Sequence, residues 1–206
     1  MHSNDYVVHI VDDEEPVRKS LAFLLATSGF TVRLHDSATS FLSVAADLGN
    51  ACLVTDLRMP DISGVDLLAQ LKAMNAMLPA IVITGHGDVP MAVAAMKSGA
   101  LDFIEKPFED EVLIEAIRRA AERITGKPDD VDDVAALRER FALLSDRETQ
   151  VLSAVVAGLP NKTIAYDLDI SPRTVEIHRA NVMTKMQARS LPELVRMTIA
   201  MGQGRS

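Results

Sequence analysis

The sequence lacks several features that would each indicate a particular class of protein. It has one cysteine and no tryptophan in 206 residues. A single cysteine excludes an internal disulfide framework and suits a reducing cytosol. No apolar run approaches the roughly 20 residues that a membrane helix needs. The N-terminus, MHSNDYVVHI, has no basic stretch followed by an apolar region, so we expect no signal peptide and a cytoplasmic protein.

Charge is distributed unevenly along the chain. Hydrophobic residues make up 48% and charged residues 24%, a balance typical of globular proteins, and the length suits one large or two ordinary domains. The formal net charge of −8 argues against nucleic-acid binding by the chain as a whole. Residues 1–125 carry −8, residues 126–144 carry −2 and residues 145–206 carry +2. This asymmetry suggests that the two ends of the chain have different functions.

Short apolar runs alternate with helical patterns through the first part of the chain. Strands are predicted at residues 6–11, 30–34, 51–55, 80–84 and 101–104. Helices are predicted at residues 14–28, 38–47, 64–76, 88–98 and 109–124. Five successive β-α units predict a flavodoxin-like α/β fold, a five-stranded parallel sheet in the order 2-1-3-4-5 with helices on both faces.

The rest of the chain is predicted to be a linker followed by an all-α unit. Residues 126–133 have no apolar pattern and suggest an exposed hinge, although a continued, kinked helix is an alternative. A short amphipathic helix at 134–144 leads into the second domain. Further helices are predicted at residues 146–157, 161–168, 172–187 and 191–201. We therefore predict domains at 1–124 and 145–206, joined by a linker at 125–144.

Polar residues follow several of the predicted strands. Asp12 and Asp13 follow the first strand, Asp56 follows the third, and Thr84 and Lys106 end or follow the fourth and fifth. The first and third strands are neighbours in this sheet order, at the reversal point where open α/β sheets bind ligands. A lone carboxylate at a strand end is often a turn residue. Five such residues at one edge favour a functional site instead.

The composition of this edge favours phosphoryl transfer with Mg²⁺. Carboxylates in close proximity repel one another, and a hard divalent cation with oxygen ligands removes that repulsion. A carboxylate beside the cation can attack phosphorus and form an acyl phosphate. Thr84 could donate to a phosphoryl oxygen and Lys106 could neutralise one, which supplies the positioning and charge stabilisation that the reaction needs.

The same residues resemble the receiver domain of two-component response regulators over about residues 4–124. The motifs are the Asp12-Asp13 pair, Asp56 in DLRMPD, Thr84, and Lys106-Pro107. The resemblance implies that Asp56 accepts a phosphoryl group from the histidine of a sensor kinase. It also implies a metal site in which Asp13, Asp56 and the backbone carbonyl of Arg58 bind Mg²⁺, with Asp12 acting through water.

The resemblance assigns further roles to residues of the fourth and fifth strands. Lys106 would pair with the phosphoryl group and Thr84 would swing toward it. Phe103 would be the aromatic switch that moves inward on activation, although a plain core residue is the alternative. The Lys106–Pro107 bond is expected to be cis.

The second half of the chain contains a predicted helix-turn-helix unit. Ser171 caps its second helix, with Pro172 at the first helical position. Val175, Val182 and Met186 recur at helical spacing and are predicted to face the core. On the opposite stripe, small residues permit close approach to DNA, while arginine and glutamate can read base edges. With phosphate contacts from flanking residues, the predicted DNA-binding set is Lys162, Arg173, Thr174, Glu176, Ile177, Ala180, Asn181 and Lys185.

This half resembles the LuxR-type DNA-binding domain over about residues 145–206. The motifs are LSDRETQVL, GLPNKTIAYDLDIS and TVEIHRANVMTKM. The resemblance implies that helix 172–187 enters the major groove and that the last helix helps dimerisation. Glu176 stands where many relatives have a basic residue. Because glutamate repels phosphate, we expect modest affinity per domain and a larger role for dimerisation.

Together the two halves resemble the NarL/FixJ class of regulators. The class implies a phosphorylation-switched transcription activator with a sensor histidine kinase, promoter DNA and RNA polymerase as partners. It also implies a homodimer when phosphorylated, for which we expect a face on helix 88–98 and strand 101–104, with Val93 and Lys97 as contacts. Segments such as HIVDDEEPVRKSLAF resemble one branch of the class. That branch implies a haem-containing, oxygen-sensing kinase and nitrogen-fixation promoters.

Two other functions remain open at this point. A Mg²⁺-dependent phosphatase with an aspartyl-phosphate would use the same acidic residues and lysine, but it fits the helix-turn-helix unit badly. A DNA-binding protein with a silent receiver is opposed by the complete acidic set. On the preferred interpretation the protein is not an enzyme with a separate substrate, and the receiver would catalyse only its own phosphorylation and dephosphorylation.

Overall fold

A computed structural model describes residues 6–76, 78–85, 88–124 and 134–202. The chain divides into two compact units, residues 1–86 with 98–127 and residues 87–97 with 128–206. The linker predicted at 126–133, with its hinge, lies outside the described residues. Within the described ranges, no helix is long and apolar enough to cross a membrane.

Strands and helices alternate through the first part of the chain, as predicted. The strands are β1 Val7–Val11, β2 Thr31–His35, β3 Ala51–Asp56, β4 Ala80–Thr84 and β5 Asp102–Glu105. The helices between and after them are α1 Glu15–Thr27, α2 Ala38–Ala45, α3 Gly64–Ala73, α4 Val89–Lys97 and α5 Asp110–Ile124. All strand pairs are parallel, in the order β2-β1-β3-β4-β5. The predicted sheet and its order are confirmed.

Apolar strands form the centre of the sheet, while β2 lies at its edge. Every residue of β4 is buried, as are the first five of β3, because parallel sheets are covered on both faces. Leu34 of the edge strand β2 is 44% exposed. Residues of β1, β3 and β4 form one core cluster with Leu21 and Leu25 of α1 and Leu113 and Ile117 of α5. Packing of this kind fixes the strand ends that carry the polar residues.

Five helices lie within the described residues 134–202. They are α6 Val134–Ala142, α7 Asp146–Val156, α8 Asn161–Asp167, α9 Pro172–Met186 and α10 Leu191–Ala200. Leu137 of α6 is buried in a cluster with Leu152 of α7 and Val182 and Met186 of α9. Although the sequence placed α6 in the linker, it therefore contributes to the core of the helical unit. The predicted domain boundaries at residues 124 and 144 remain predictions.

Local sequence signals determine where α9 begins. Asp169 has a left-handed φ of 52° in the turn after α8, a conformation that aspartate tolerates better than most residues. The hydroxyl of Ser171 accepts the Thr174 N–H at 3.1 Å, and Pro172 occupies the first helical position. These signals confirm the predicted helix start.

Candidate phosphoacceptor site and nucleic-acid interface

Three of the predicted site residues meet at the carboxyl end of the sheet. The ammonium of Lys106 lies 3.3 Å from Oδ2 of Asp12 and 3.2 Å from Oδ1 of Asp56. Asp12 follows β1, Asp56 ends β3, and β1 and β3 are hydrogen-bonded neighbours. The topology therefore brings together residues that are 44 and 50 positions apart in the chain, as the sequence predicted.

Asp12 is the most enclosed of these charges. Its side chain is 2% exposed, and its Oδ1 accepts the Glu14 N–H at 2.8 Å. Burial raises the pKa of the Asp12 carboxyl, and the Glu14 N–H and the Lys106 ammonium oppose that rise. Arg18 donates from Nη1 to the Asp12 carbonyl oxygen at 2.6 Å. This last contact escaped the sequence analysis because a helix-to-strand-end pairing has no local pattern.

Asp56 is held at both carboxylate oxygens and keeps limited access to solvent. Its Oδ1 faces Lys106, its Oδ2 accepts the Arg58 N–H at 2.7 Å, and its side chain is 13% exposed. Behind it, a Cβ on Gly64 would lie 2.5 Å from the Asp56 carbonyl oxygen. Only a residue without a side chain fits there, which fixes the path of the chain after β3. The sequence analysis did not identify Gly64 as part of the site.

The other predicted residues differ in exposure. Asp13 is exposed, Thr84 is buried at 1% exposure, and Phe103 is half-buried in β5. Thr84 lies opposite Glu105 in the register of β4 and β5, immediately before Lys106. The Lys106–Pro107 bond is cis, as the resemblance implied.

The donor atoms at this edge fit a hard cation. Asp12 and Asp56 already direct oxygens at one positive charge, and oxygen ligands are what Mg²⁺ prefers. Among the described residues, no group of three or more histidine, cysteine or acidic residues could hold a metal ion. Mg²⁺ commonly retains several waters in proteins, so a few protein oxygens are enough to hold it.

Helix α9 has one buried face and one exposed face. Val175, Val182 and Met186 are buried, which confirms the predicted core face. On the predicted DNA-reading stripe, Ile177 is 54% exposed although it is apolar. The exposed members of the predicted set are Lys162, Arg173, Glu176, Ile177, Ala180 and Asn181.

Two predicted DNA contacts are less exposed. Thr174 is half-buried, and its hydroxyl lies 2.8 Å from the Ser171 hydroxyl. The Lys185 ammonium lies 2.7 Å from Oε2 of Glu148 in α7. Glu148 was missed by the sequence analysis, although Ser145 and Glu148 have the S-x-x-E spacing of a capping box and do form one.

The two residues predicted for a dimer face differ in their exposure to solvent. Val93 of α4 is buried at 2% exposure, whereas Lys97 at the end of α4 is exposed. A dimer contact through Val93 would therefore require this side chain to become accessible. The dimer face remains a prediction.

Comparison with known proteins agrees with both halves of this description. Residues 8–118 match the response regulator receiver domain, and residues 142–198 match the bacterial regulatory proteins of the luxR family. The chain belongs to the response regulators that join a receiver domain to a LuxR-type DNA-binding domain. Receiver domains generally bind Mg²⁺ at their acidic site.

Individual relatives identify a narrower group within this class of response regulators. The chain is 68% identical over 202 residues to the transcriptional regulatory protein FixJ of Rhizobium meliloti (strain 1021), covering 98% of this chain and 99% of the relative. It is 56% identical to the FixJ of Azorhizobium caulinodans, covering 95% and 92% of the two chains. The crystal structure of full-length FixJ from B. japonicum is 48% identical, with a TM-score of 0.53 over 95% of this chain and 97% of that one. This chain is thus a FixJ-like regulator of the NarL/FixJ class.

Proposed function

We propose that this protein is a transcriptional activator that is switched on by phosphorylation of Asp56. The observation that carries the proposal is the convergence of Asp12, Asp56 and Lys106 at the strand ends, where the lysine ammonium lies within 3.3 Å of an oxygen of each carboxylate. An acceptor carboxylate, a second carboxylate and a cation are what a phosphoryl group needs at its destination. The same chain carries an exposed helix-turn-helix face, so a chemical change in one unit has DNA binding as its output.

Phosphoryl transfer to Asp56 is a simple displacement. A carboxylate oxygen of Asp56 attacks phosphorus, the phosphorus–nitrogen bond of the donor's phosphohistidine breaks, and the imidazole leaves with the electron pair. The product is an acyl phosphate on Asp56. Lys106 already contacts the acceptor oxygen, and its ammonium pairs with the arriving phosphoryl oxygens. Asp13, Asp56 and the Arg58 carbonyl would hold Mg²⁺, with Asp12 acting through water, and the ion would supply positive charge against the anionic phosphoryl group.

Activation then follows from the groups around the acyl phosphate. Thr84 turns its hydroxyl toward the phosphoryl group, and Phe103 moves inward into the space that this movement opens. Phosphorylation shifts a pre-existing equilibrium, because it stabilises only the conformation that provides these contacts. The receiver pairs with its twin through the α4 and β5 face, with Val93 and Lys97 among the contacts. Two linked DNA-binding units then meet two half-sites.

The exposed stripe of α9 reads the promoter in the major groove. Arg173 suits the acceptor edge of guanine, and Glu176 suits the cytosine amino group. Ile177 and Ala180 permit close approach to the bases. Thr174, Asn181 and Lys162 suit backbone contacts that fix the register of the protein on the duplex. Lys185 belongs to the predicted phosphate contacts, but its ammonium is paired with Glu148.

The near relatives suggest a biological setting. Similarity to proteins named FixJ over nearly the full chain supports a FixL-like sensor histidine kinase as donor. It also supports control of nitrogen-fixation genes in response to low oxygen, with RNA polymerase as the partner at the promoter. A donor kinase assay with controlled oxygen would test this setting separately from the chemistry at Asp56.

Intact mass measurement tests the acceptor directly. The full-length protein and Asp56→Asn are incubated with acetyl phosphate and Mg²⁺, and the mass of each is followed with time. We expect the unaltered protein to gain one phosphoryl group and Asp56→Asn to gain none. A phosphoryl group on Asp56→Asn would place the acceptor elsewhere. Release of phosphate from many small esters per protein molecule would favour the phosphatase function instead.

A further inference from the structure

The arginine and lysine residues of α9 have different surroundings. Arg173, in the first turn, has an 85% exposed side chain and lies 3.9 Å from a carboxylate oxygen of Glu176. Arg179 is half-buried and donates from Nη1 to Oδ1 of Asn161 at 2.7 Å. Lys185, in the last turn, is bonded to Glu148. Only Arg173 therefore has its charge mainly in solvent, where DNA could meet it.

One carboxylate oxygen of Glu148 joins two helices. Oε2 of Glu148 accepts the Ser145 N–H at 2.8 Å, which caps α7, and it also accepts the Lys185 ammonium at 2.7 Å. The Glu148 side chain is 5% exposed and that of Lys185 is 37% exposed. The start of α7 and the end of α9 are thus tied to the same atom.

Releasing Lys185 from this atom would be unfavourable. A buried carboxylate that loses its cationic partner keeps the desolvation penalty without the compensating attraction. In the bonded state Glu148 is ionised at neutral pH, because the hydrogen bonds from Lys185 and Ser145 lower its pKa to about 2. Lys185 is also flanked by core residues, since Met186 follows it and Val182 lies three positions before it, both buried. Its side chain therefore lies at the border between the buried and the exposed face of α9.

We propose that Lys185, through Glu148, is a positioning residue that fixes the recognition helix α9 on α7, and that it makes no essential phosphate contact. The inference rests on the proposed DNA binding by α9. The ion pair between Lys185 and Glu148 lies at the C-terminal end of α9, beyond the exposed stripe of Arg173, Glu176, Ile177 and Ala180. It sets the direction in which that stripe faces the bases.

Positioning and phosphate contact predict opposite effects when Glu148 loses its charge. If Lys185 contacts phosphate, Glu148→Gln removes a nearby negative charge and frees the lysine, so DNA binding tightens on any sequence. If Lys185 positions α9, Glu148→Gln loosens the helix. Contacts to base edges then suffer more than contacts to the backbone, because base readout depends on exact placement of side chains.

The test uses the full-length protein treated with acetyl phosphate and Mg²⁺. A duplex enriched from a random pool by the unaltered protein is compared with a random-sequence duplex of equal length. Affinities for both are measured over a series of salt concentrations for the unaltered protein, Glu148→Gln, Lys185→Met and the control Lys162→Met. Circular dichroism establishes that each variant is folded at a temperature well below its unfolding midpoint.

We expect Glu148→Gln and Lys185→Met each to lose about tenfold in affinity for the enriched duplex, the scale of one misplaced base contact. Affinity for the random duplex and the salt dependence should stay unchanged. Lys162→Met should instead weaken binding to both duplexes and reduce the salt slope by about 0.9, as expected for one lost phosphate contact. If Glu148→Gln is unfolded, Lys185→Met alone decides, because Lys185 is outside the capping box.

Four results would overturn the inference. Tighter binding by Glu148→Gln, or a Lys185→Met variant that behaves like Lys162→Met, would make Lys185 a phosphate contact. Unchanged affinities in folded variants with lower unfolding midpoints would leave the pair with a stabilising role only. Failure of the unaltered protein to enrich any duplex would overturn the proposed DNA binding itself, and the inference with it.

Discussion

The receiver site and the recognition helix hold their charged residues in different ways. At the sheet edge, Asp12 and Asp56 share one lysine, and all three charges belong to the proposed chemistry. On α9, Arg179 and Lys185 pair with side chains of neighbouring helices, whereas Arg173 is mainly exposed. A strand end brings its charges to one place by topology alone. On a helix, tertiary packing decides which charges remain available to a ligand.

The first prediction concerns the core that supports the helix. Leu137→Ala should lower the free energy of unfolding of the helical unit by about 3 kcal/mol, because a fully buried leucine leaves a cavity. Leu143→Ala, at a side chain that is 66% exposed, should have little effect. Chemical denaturation followed by circular dichroism measures both. If Leu137→Ala has as little effect as Leu143→Ala, α6 belongs to the linker, as the sequence suggested.

The second prediction concerns the shared lysine of the receiver site. Lys106→Met should slow phosphorylation by acetyl phosphate about a hundredfold, because it removes a preorganised positive charge from the transferring group. Lys72→Met, at an exposed lysine of α3, is the matched control and should phosphorylate at the normal rate. The time course of intact mass gives both rates. A normal rate for Lys106→Met would remove the lysine from the mechanism.

The third prediction concerns the buried carboxylate of Glu148 in the helical unit. Glu148→Gln should reduce the free energy of unfolding by about 2 kcal/mol at neutral pH, since hydrogen bonds to a buried charge are lost. The folded pKa of Glu148 is lowered from 4.5 to about 2, so its contribution is complete above pH 4.5 and disappears as pH falls toward 2. Denaturant unfolding at a series of pH values measures the difference. A difference that persists unchanged at the lowest pH would contradict the ionic origin.

The smallest expected effect concerns the loop behind Asp56. Gly64→Ala places a Cβ 2.5 Å from the Asp56 carbonyl oxygen, so the backbone must shift, at a cost of about 1–2 kcal/mol in unfolding free energy. Phosphorylation should slow as the acceptor moves away from Lys106. Gly49→Ala is the control, because a Cβ there meets no heavy atom within 4 Å. Unaltered stability and rate for Gly64→Ala would show that the loop tolerates displacement.

The difference between the receiver site and α9 also explains which parts of the structure could be predicted from the sequence. The alternation of apolar runs and helical patterns determines the sheet, and the sheet order places Asp12 beside Asp56 without any knowledge of side-chain packing. The roles of Lys162 and Lys185 could not be separated in this way. Both are lysines near the predicted DNA-binding stripe, and only the packing of α9 on α7 brings Lys185 to Glu148. The contact of Gly64 with Asp56 depends likewise on the folded path of the loop.

The most direct test of the account joins the two regions in one measurement. The unaltered protein and Asp56→Asn are treated with acetyl phosphate and Mg²⁺, and solution molecular weight and affinity for the enriched duplex are measured on the same samples. The account predicts a dimer with tighter DNA binding for the treated, unaltered protein, and neither change for Asp56→Asn. A fully phosphorylated protein that stays monomeric with unchanged affinity, or an Asp56→Asn variant that responds like the unaltered protein, would contradict it.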